Sequence, residues 1–381
     1  MDLQSFRNYG HVSLTIDEPR LLLLGPNGAG KSNLLEAVEL MGTLRSHRCS
    51  SDGELIGHGQ RWARLVGLTD ADERLELVLR RRGGRQVRRN DRVLNRQSDL
   101  LGHLRCVSFS AMDLDLIRGE PGRRRHWVDG VVLQLEPAYA DLLQRQRRLL
   151  RQRRRVWQLP MPAADRESLL DALDHQMAMV GGRIRRRRER ALSRLDPCLK
   201  RWHARLSGAL GSLDLHYRTG GDAGSEREEE GPGQPSPREA PDSWEERLLE
   251  QLKRQRSLES RLGSPQAGPH RDEISFLLAG RSARRYGSAG QQRTLVLALK
   301  LAELELIEAV CGAPPVLVLD DVLAELDLQR QSWLLETAGN GHQCLISATH
   351  LAGFDPQWRR QSQLVQVEQG GLRPMGVADV V

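Results

Sequence analysis

The chain has 381 residues, enough for two domain-sized units with hydrophobic cores. Charged residues make up 28%, and 57 basic side chains against 50 acidic ones leave a net charge of +7, which suits a polyanionic partner; the composition excludes collagen-like, coiled-coil-fibre and wholly disordered classes. No apolar run approaches the roughly 18 residues that cross a bilayer, the start MDLQSFRNYG lacks a signal-peptide pattern, and the five cysteines are scattered without a CxxC pair, so a cytoplasmic protein with no membrane partner, disulfide framework or zinc site is expected.

Val12, Leu14 and Ile16 alternate like a strand, and Leu21 to Leu24 form the continuous apolar run of a buried one. Directly after it, Gly25-Pro26-Asn27-Gly28-Ala29-Gly30-Lys31-Ser32 matches GxxxxGK[ST], with a helix predicted from about Ser32. In that setting the glycines let backbone N–H groups converge on phosphates and the helix start adds partial positive charge. Lys31 reaches the terminal phosphates, and the Ser32 hydroxyl can ligate Mg²⁺. Lysine occurs elsewhere only at Lys200, Lys253 and Lys300, so its retention at position 31 points to chemistry. Residues 61 to 110 read as further strands, with a hairpin at Gly83-Gly84 and an apolar stretch from Val107 to Phe109.

From Val128 the period becomes helical, through Val132, Leu135, Tyr139, Leu142, Leu149 and Val156. Pro160 and Pro162 break it, and a second helix carries Leu169, Leu173, Met177, Val180, Ile184, Ala191, Leu195, Leu199, Trp202 and Leu206, so the two should pack antiparallel. Residues 219–241 are rich in Gly, Pro, Ser and Glu and are expected to form a disordered insertion. A third helix should start at Ser243, whose spacing to Glu246 is that of a capping box. Strands return at Ile274–Leu278, Val316–Leu319 and Cys344–Ser347, with helices near 291–309 and 328–338. The expected fold is therefore an α/β domain, residues 1–109 and 264–381, interrupted by a helical arm over 110–263.

The strand Val316–Leu319 ends in Asp320-Asp321, the arrangement that delivers one carboxylate to Mg²⁺ and a second toward an attacking water. Ser288-Ala289-Gly290-Gln291 lies 32 positions before Asp320 at the start of a helix, and Thr349-His350 follows Asp320 by 30 at a strand end. In order and spacing this set resembles the ABC and SMC ATPase superfamily. The resemblance implies that Ser288, Gly290 and Gln291 form its signature, that Glu325-Leu326-Asp327 is the D-loop, with Asp327 in the composite site, and that His350 senses the γ-phosphate. It also implies that the signature of one subunit faces the P-loop of another, sandwiching ATP. Serine and the helix start are apt for that, since both offer donors to a phosphate.

Within the superfamily the chain resembles the RecF family of bacterial recombination and gap-repair ATPases. The matching residues are Phe6-Arg7-Asn8-Tyr9, the P-loop extended to Asn33, Leu35-Glu36-Ala37, Ser46-His47-Arg48, the stretch from Gly119 to Arg125 with Asp129, Gly268 to Asp272, Tyr286 to Thr294 and Asp320 to Asp327. Ser32 stands where the family usually has Thr, Met112 where it has an acid, and Ala289 where it has Gly or Gln. The resemblance implies a weak, DNA-stimulated ATPase used as a clamp switch. It implies an ATP-dependent homodimer that binds gapped single-strand/duplex DNA and works with RecR and RecO to load RecA on SSB-coated DNA, supporting the SOS response. An ABC transporter subunit is the alternative, but it leaves the helical insertion unexplained; a structural SMC-like ATPase is another, but it would need far longer arms.

Arginine runs at 145–155 and 183–190, and a further set around Gly83-Gly84, suggest where DNA binds. On a hairpin turning near Met161 the first two runs, including Arg147, Arg151, Arg154, Arg185 and Arg188, make a basic track of roughly 35 Å, about ten base pairs. With aromatics at 4%, backbone reading of duplex DNA is expected rather than base stacking.

Overall fold

The computed structural model describes residues 1–49, 51–208, 211–220, 243–323, 328–339, 341–351, 354 and 356–375. The chain packs as two compact units, Met1–Asp113 with Glu303–Val381, and Leu114–Ala302. The chain thus leaves the first unit and returns to it, and residues 264–302 pack with the helices because the strand Glu273–Leu278 pairs along its length with Leu213–Arg218.

The first unit holds two six-stranded sheets. One runs in the order Gly371–Met375, Gln363–Glu368, Arg20–Leu24, Cys344–Ala348, Val316–Asp320, Cys106–Ser110, all parallel except the first. Its buried strands read as unbroken apolar runs because both faces are covered. The other is antiparallel, in the order Tyr9–Ser13, Asp2–Phe6, Trp62–Leu68, Arg74–Arg80, Arg85–Arg89, Arg92–Val93. It alternates instead: Leu75, Leu77 and Leu79 turn to the core while Arg74, Glu76 and Val78 lie on the other face. The hairpin at Gly83-Gly84 is as expected, both glycines having positive φ. The strand expected over 12–16 lies earlier, at Tyr9–Ser13, where it pairs with Asp2–Phe6. Helix α1 (Lys31–Thr43) packs against strands of both sheets, and Leu34, Leu35, Leu40 and Met41 are buried in the core they share.

In the second unit the expected helix through 128–156 is two, α2 (Pro121–Leu135) and α3 (Tyr139–Gln158). Pro137 explains the break: it has no N–H for the helix ladder and drives Glu136 to φ −138°, ψ 87°. Helix α4 (Ala163–Ser207) returns against α3, and the pairs Glu136–Arg187 and Arg153–Asp174 give the antiparallel register. Helix α5 (Ser243–Arg254) starts where predicted and is followed by α6 (Arg256–Leu262). Residues 221–241 of the expected insertion lie outside the described residues.

The arginine runs divide by helix face. Arg185 and Arg188, expected on the DNA surface, are buried, and so is Arg153. Arg185 donates to Asp272 at 2.8 Å, and Arg188 donates to both oxygens of Asp129 at 2.9 and 3.0 Å and to the Pro269 carbonyl at 2.7 Å. Tyr139 and Tyr217 donate to the same two carboxylates, at 2.6 and 2.5 Å. A guanidinium withdrawn from water survives only with such partners, so Arg185 and Arg188 act as rivets of the arm rather than phosphate contacts.

His270 sits in the same packed region. Burial holds it in the neutral form and pushes its pKa down to about 4. Its Nε2 faces the Pro265 carbonyl at 3.3 Å. The unfolded chain takes up this proton near pH 6.5 and the folded chain does not, so stability falls as pH drops from about 6.5 toward 4. Between pH 7 and 5 the His270 contribution should cost about 2 kcal/mol. Urea titrations at the two pH values should show that loss reduced in His270→Gln protein.

Candidate nucleotide site

Three adjacent parallel strands, Arg20–Leu24, Cys344–Ala348 and Val316–Asp320, bring their carboxyl ends to one edge, with Leu24 opposite Ala348 and Asp320 opposite Ser347. The P-loop, His350 and the Asp320-Asp321 pair therefore emerge side by side, where open α/β sheets bind their ligands. Ser32 Oγ donates to Asp320 Oδ1 at 2.8 Å, and Ser347 Oγ donates to the same oxygen at 2.8 Å. The Asp321 N–H donates to Ser347 Oγ at 2.8 Å, and Asp321 follows the strand with a left-handed φ of 53°. Such a φ is uncommon outside glycine and marks a position fixed by its surroundings. His350 is exposed two residues beyond its strand.

Lys31 is 3% exposed, and its Nζ donates to the carbonyls of Gly25 at 2.8 Å and Pro26 at 3.2 Å, lying under the loop. Glycine is required at two places: a Cβ on Gly25 would lie 2.4 Å from the Val367 carbonyl, and one on Gly30 2.6 Å from Asn8 Nδ2. Those neighbours brace the loop. Asn8 Nδ2 donates to the Ala29 carbonyl at 3.1 Å, the Tyr9 hydroxyl to the Gly30 carbonyl at 2.9 Å, and the Gly370 N–H to the Ala29 carbonyl at 3.1 Å. Burial pushes the Tyr9 phenol up to about 12, so it stays a donor.

Beside the loop, Arg7 forms a bidentate pair with buried Glu36 at 2.8 and 2.7 Å, Ser46 donates to Glu36 at 2.5 Å, and Arg48 donates to Asn33 Oδ1 at 2.7 Å. Burial alone would raise the Glu36 carboxyl, but Arg7 and Ser46 outweigh it and hold it below the usual carboxylate range. Sequence reasoning gave these residues no role, although Phe6-Arg7-Asn8-Tyr9 and Ser46-His47-Arg48 were among the motifs that carried the resemblance.

Ser288, Ala289, Gly290 and Gln291 are exposed at the start of helix α7 (Ala289–Cys311). Ser288 Oγ accepts from the Gln291 N–H at 3.2 Å, and Gln291 Oε1 accepts from the Ser288 N–H at 2.8 Å, a reciprocal cap. These signature residues belong to the second unit and the P-loop to the first. Asp327 and the D-loop lie outside the described residues. Arg147, Arg151 and Arg154 are exposed on α3, with Arg145, Arg148 and Arg155, and none of the six has a side-chain partner among the described residues.

The sequence profile of the AAA domain matches residues 1–102. A DNA replication and repair protein RecF from Synechococcus sp. (strain CC9605) is 55% identical over 98% of this chain and 99% of its own length. The chain belongs to the RecF family. A further RecF, from Acaryochloris marina (strain MBIC 11017), is 43% identical over 98% of both chains. Among solved structures, that of the recombination mediator protein RecF-ATP in the RecFOR pathway superposes with a TM-score of 0.87 at 27% identity, covering 98% of this chain and 96% of that one. An SMC head bound to the C-winged helix domain of ScpA shares the fold, with a TM-score of 0.51 at 16% identity. The chain is thus a P-loop ATPase of the ABC/SMC-like type with a helical arm, and no helix among the described residues is long and apolar enough to cross a membrane.

Proposed function

We propose that the chain is an ATP-switched DNA clamp of recombinational repair. Lys31 and the loop N–H groups hold the phosphates of ATP, and Ser32 with Asp320 holds Mg²⁺. Hard oxygen donors 2.8 Å apart fit that ion, which takes few protein ligands and completes its shell from phosphate and water. Bound there, Mg²⁺ neutralises charge on the β- and γ-phosphates. Asp321 orients the attacking water, His350 meets the γ-phosphate, and Ser288, Gly290 and Gln291 of a second copy close the far side, with Asp327 beside them. Asp321 is one methylene shorter than glutamate, which favours slow turnover.

The exposed arginines of α3 support a phosphate-binding surface for duplex DNA at single-strand gaps, and family membership supports work with RecR, RecO and RecA in the cytoplasm. The observation that carries the DNA reading is that six arginines share one exposed helix without side-chain partners among the described residues, whereas Arg153, Arg185 and Arg188 are all buried in ion pairs. Changing Arg147, Arg151 and Arg154 together to Ala should weaken binding to any duplex sequence. It should also reduce the log–log salt slope by about 0.9 per lost contact. A salt titration by fluorescence anisotropy measures this, and an unchanged slope would assign these arginines to solvated surface.

A further inference from the structure

The arginines of the antiparallel sheet sort by whether a carboxylate holds them. Arg64 and Arg88 share Glu76, Arg74 pairs with Asp91, Arg85 with Asp52 and Arg89 with Glu73. At one corner of the sheet the arginines have no carboxylate partner among the described residues. Trp62 lies directly opposite Arg80 across the strand pair, and the Arg81 N–H donates to the Arg61 carbonyl at 3.1 Å, so Trp62 and Arg80 share one face at this sheet end, with Arg61 and Arg81 on the other and Arg82 in the Gly83-Gly84 turn. Among the described residues Arg80 donates only to the neutral Gln86, and Arg81 only to the Gln60 carbonyl. Arg61 and Arg82 have no side-chain partner among the described residues. Trp62 is 42% exposed on the same face as Arg80, an apolar ring left in water beside that cation.

We propose that this corner binds single-stranded nucleic acid, an unpaired base stacking on Trp62 while Arg61, Arg80, Arg81 and Arg82 hold the flanking phosphates. A duplex hides its base faces and cannot use the indole, whereas a single strand satisfies the ring and the cations together. An acidic protein segment would satisfy the charges but leave the indole without purpose. The site extends the DNA-clamp reading to the single-stranded side of a junction, and rests on that reading only for its biological setting.

The test uses the full-length protein with oligo(dT), a blunt duplex of equal length and a poly-glutamate peptide, each followed by fluorescence anisotropy. Trp62→Ala should weaken oligo(dT) binding roughly tenfold, in line with the loss of one base–aromatic stack, and leave duplex binding within twofold. Trp62→Phe should restore most of the loss. Arg81→Ala with Arg82→Ala should lower the salt slope on oligo(dT) by about 1.4, near 0.7 per contact. Unchanged oligo(dT) affinity in Trp62→Ala protein, an equal loss on duplex, or Trp62-dependent binding of the peptide alone would each overturn the proposal. The α3 variant separates the two readings, because failure here with a reduced duplex slope there would leave the clamp reading standing. Trp62 and these arginines are exposed, and an unchanged melting curve excludes misfolding.

Discussion

Lys31→Arg protein is expected to lose ATP hydrolysis by roughly 100- to 1,000-fold, the range found when one preorganised donor to a developing charge is removed. The charge is unchanged, so the effect is geometric. Lys31 is 3% exposed, with its ammonium against the carbonyls of Gly25 and Pro26, and a planar guanidinium is too wide for that seat. The loop cannot open to make room, since it is pinned by Asn8, Tyr9 and Gly370, and Gly25 already abuts the Val367 carbonyl. Single-turnover hydrolysis and nucleotide binding, measured side by side, check this; turnover near the parent rate would remove the P-loop assignment.

Ser288→Arg protein should still bind ATP yet neither dimerise nor hydrolyse it. The reciprocal bond with Gln291 gives Ser288 a structural duty as a cap, which on its own contributes about 1 kcal/mol to the helix. That duty does not explain why four consecutive residues at the start of a 23-residue helix are exposed. A helix start of this kind carries partial positive charge and free N–H groups, and an anion is its natural complement. Ser288→Asp separates the two roles, because aspartate caps as well as serine but repels a phosphate. Its melting temperature should match the parent, while ATP-dependent association, followed by light scattering, should be lost.

The candidate nucleotide site was legible in the sequence where its determinants are local. Gly25 to Ser32 follow an apolar run, and Asp320-Asp321 end another, so strand, loop and helix were placed from neighbouring residues alone. What holds the loop was not legible, because Asn8, Tyr9 and Gly370 reach it from chain segments about 20 and 340 residues away, and no periodicity records such contacts. The strands Gln363–Glu368 and Gly371–Met375 went unread for a related reason: short and partly polar, the first becomes a strand by pairing on Arg20–Leu24 and the second by pairing on the first. Arg185 and Arg188 misled because a basic run reads as surface unless the partner acids are known, and Asp272 and Asp129 lie 87 and 59 residues away.

A working site is expected to take its P-loop from one chain and its signature from another. Mixing Ser288→Arg protein with Lys31→Ala protein tests it directly. Neither alone should hydrolyse ATP, whereas a mixed dimer pairs the intact P-loop of the first with the intact Ser288, Gly290 and Gln291 of the second, restoring one site of two. Steady-state ATPase measured across mixing ratios should rise from background to a maximum near equal amounts. A flat profile in which mixed dimers demonstrably form, or turnover by either protein as a monomer, would contradict the two-chain site.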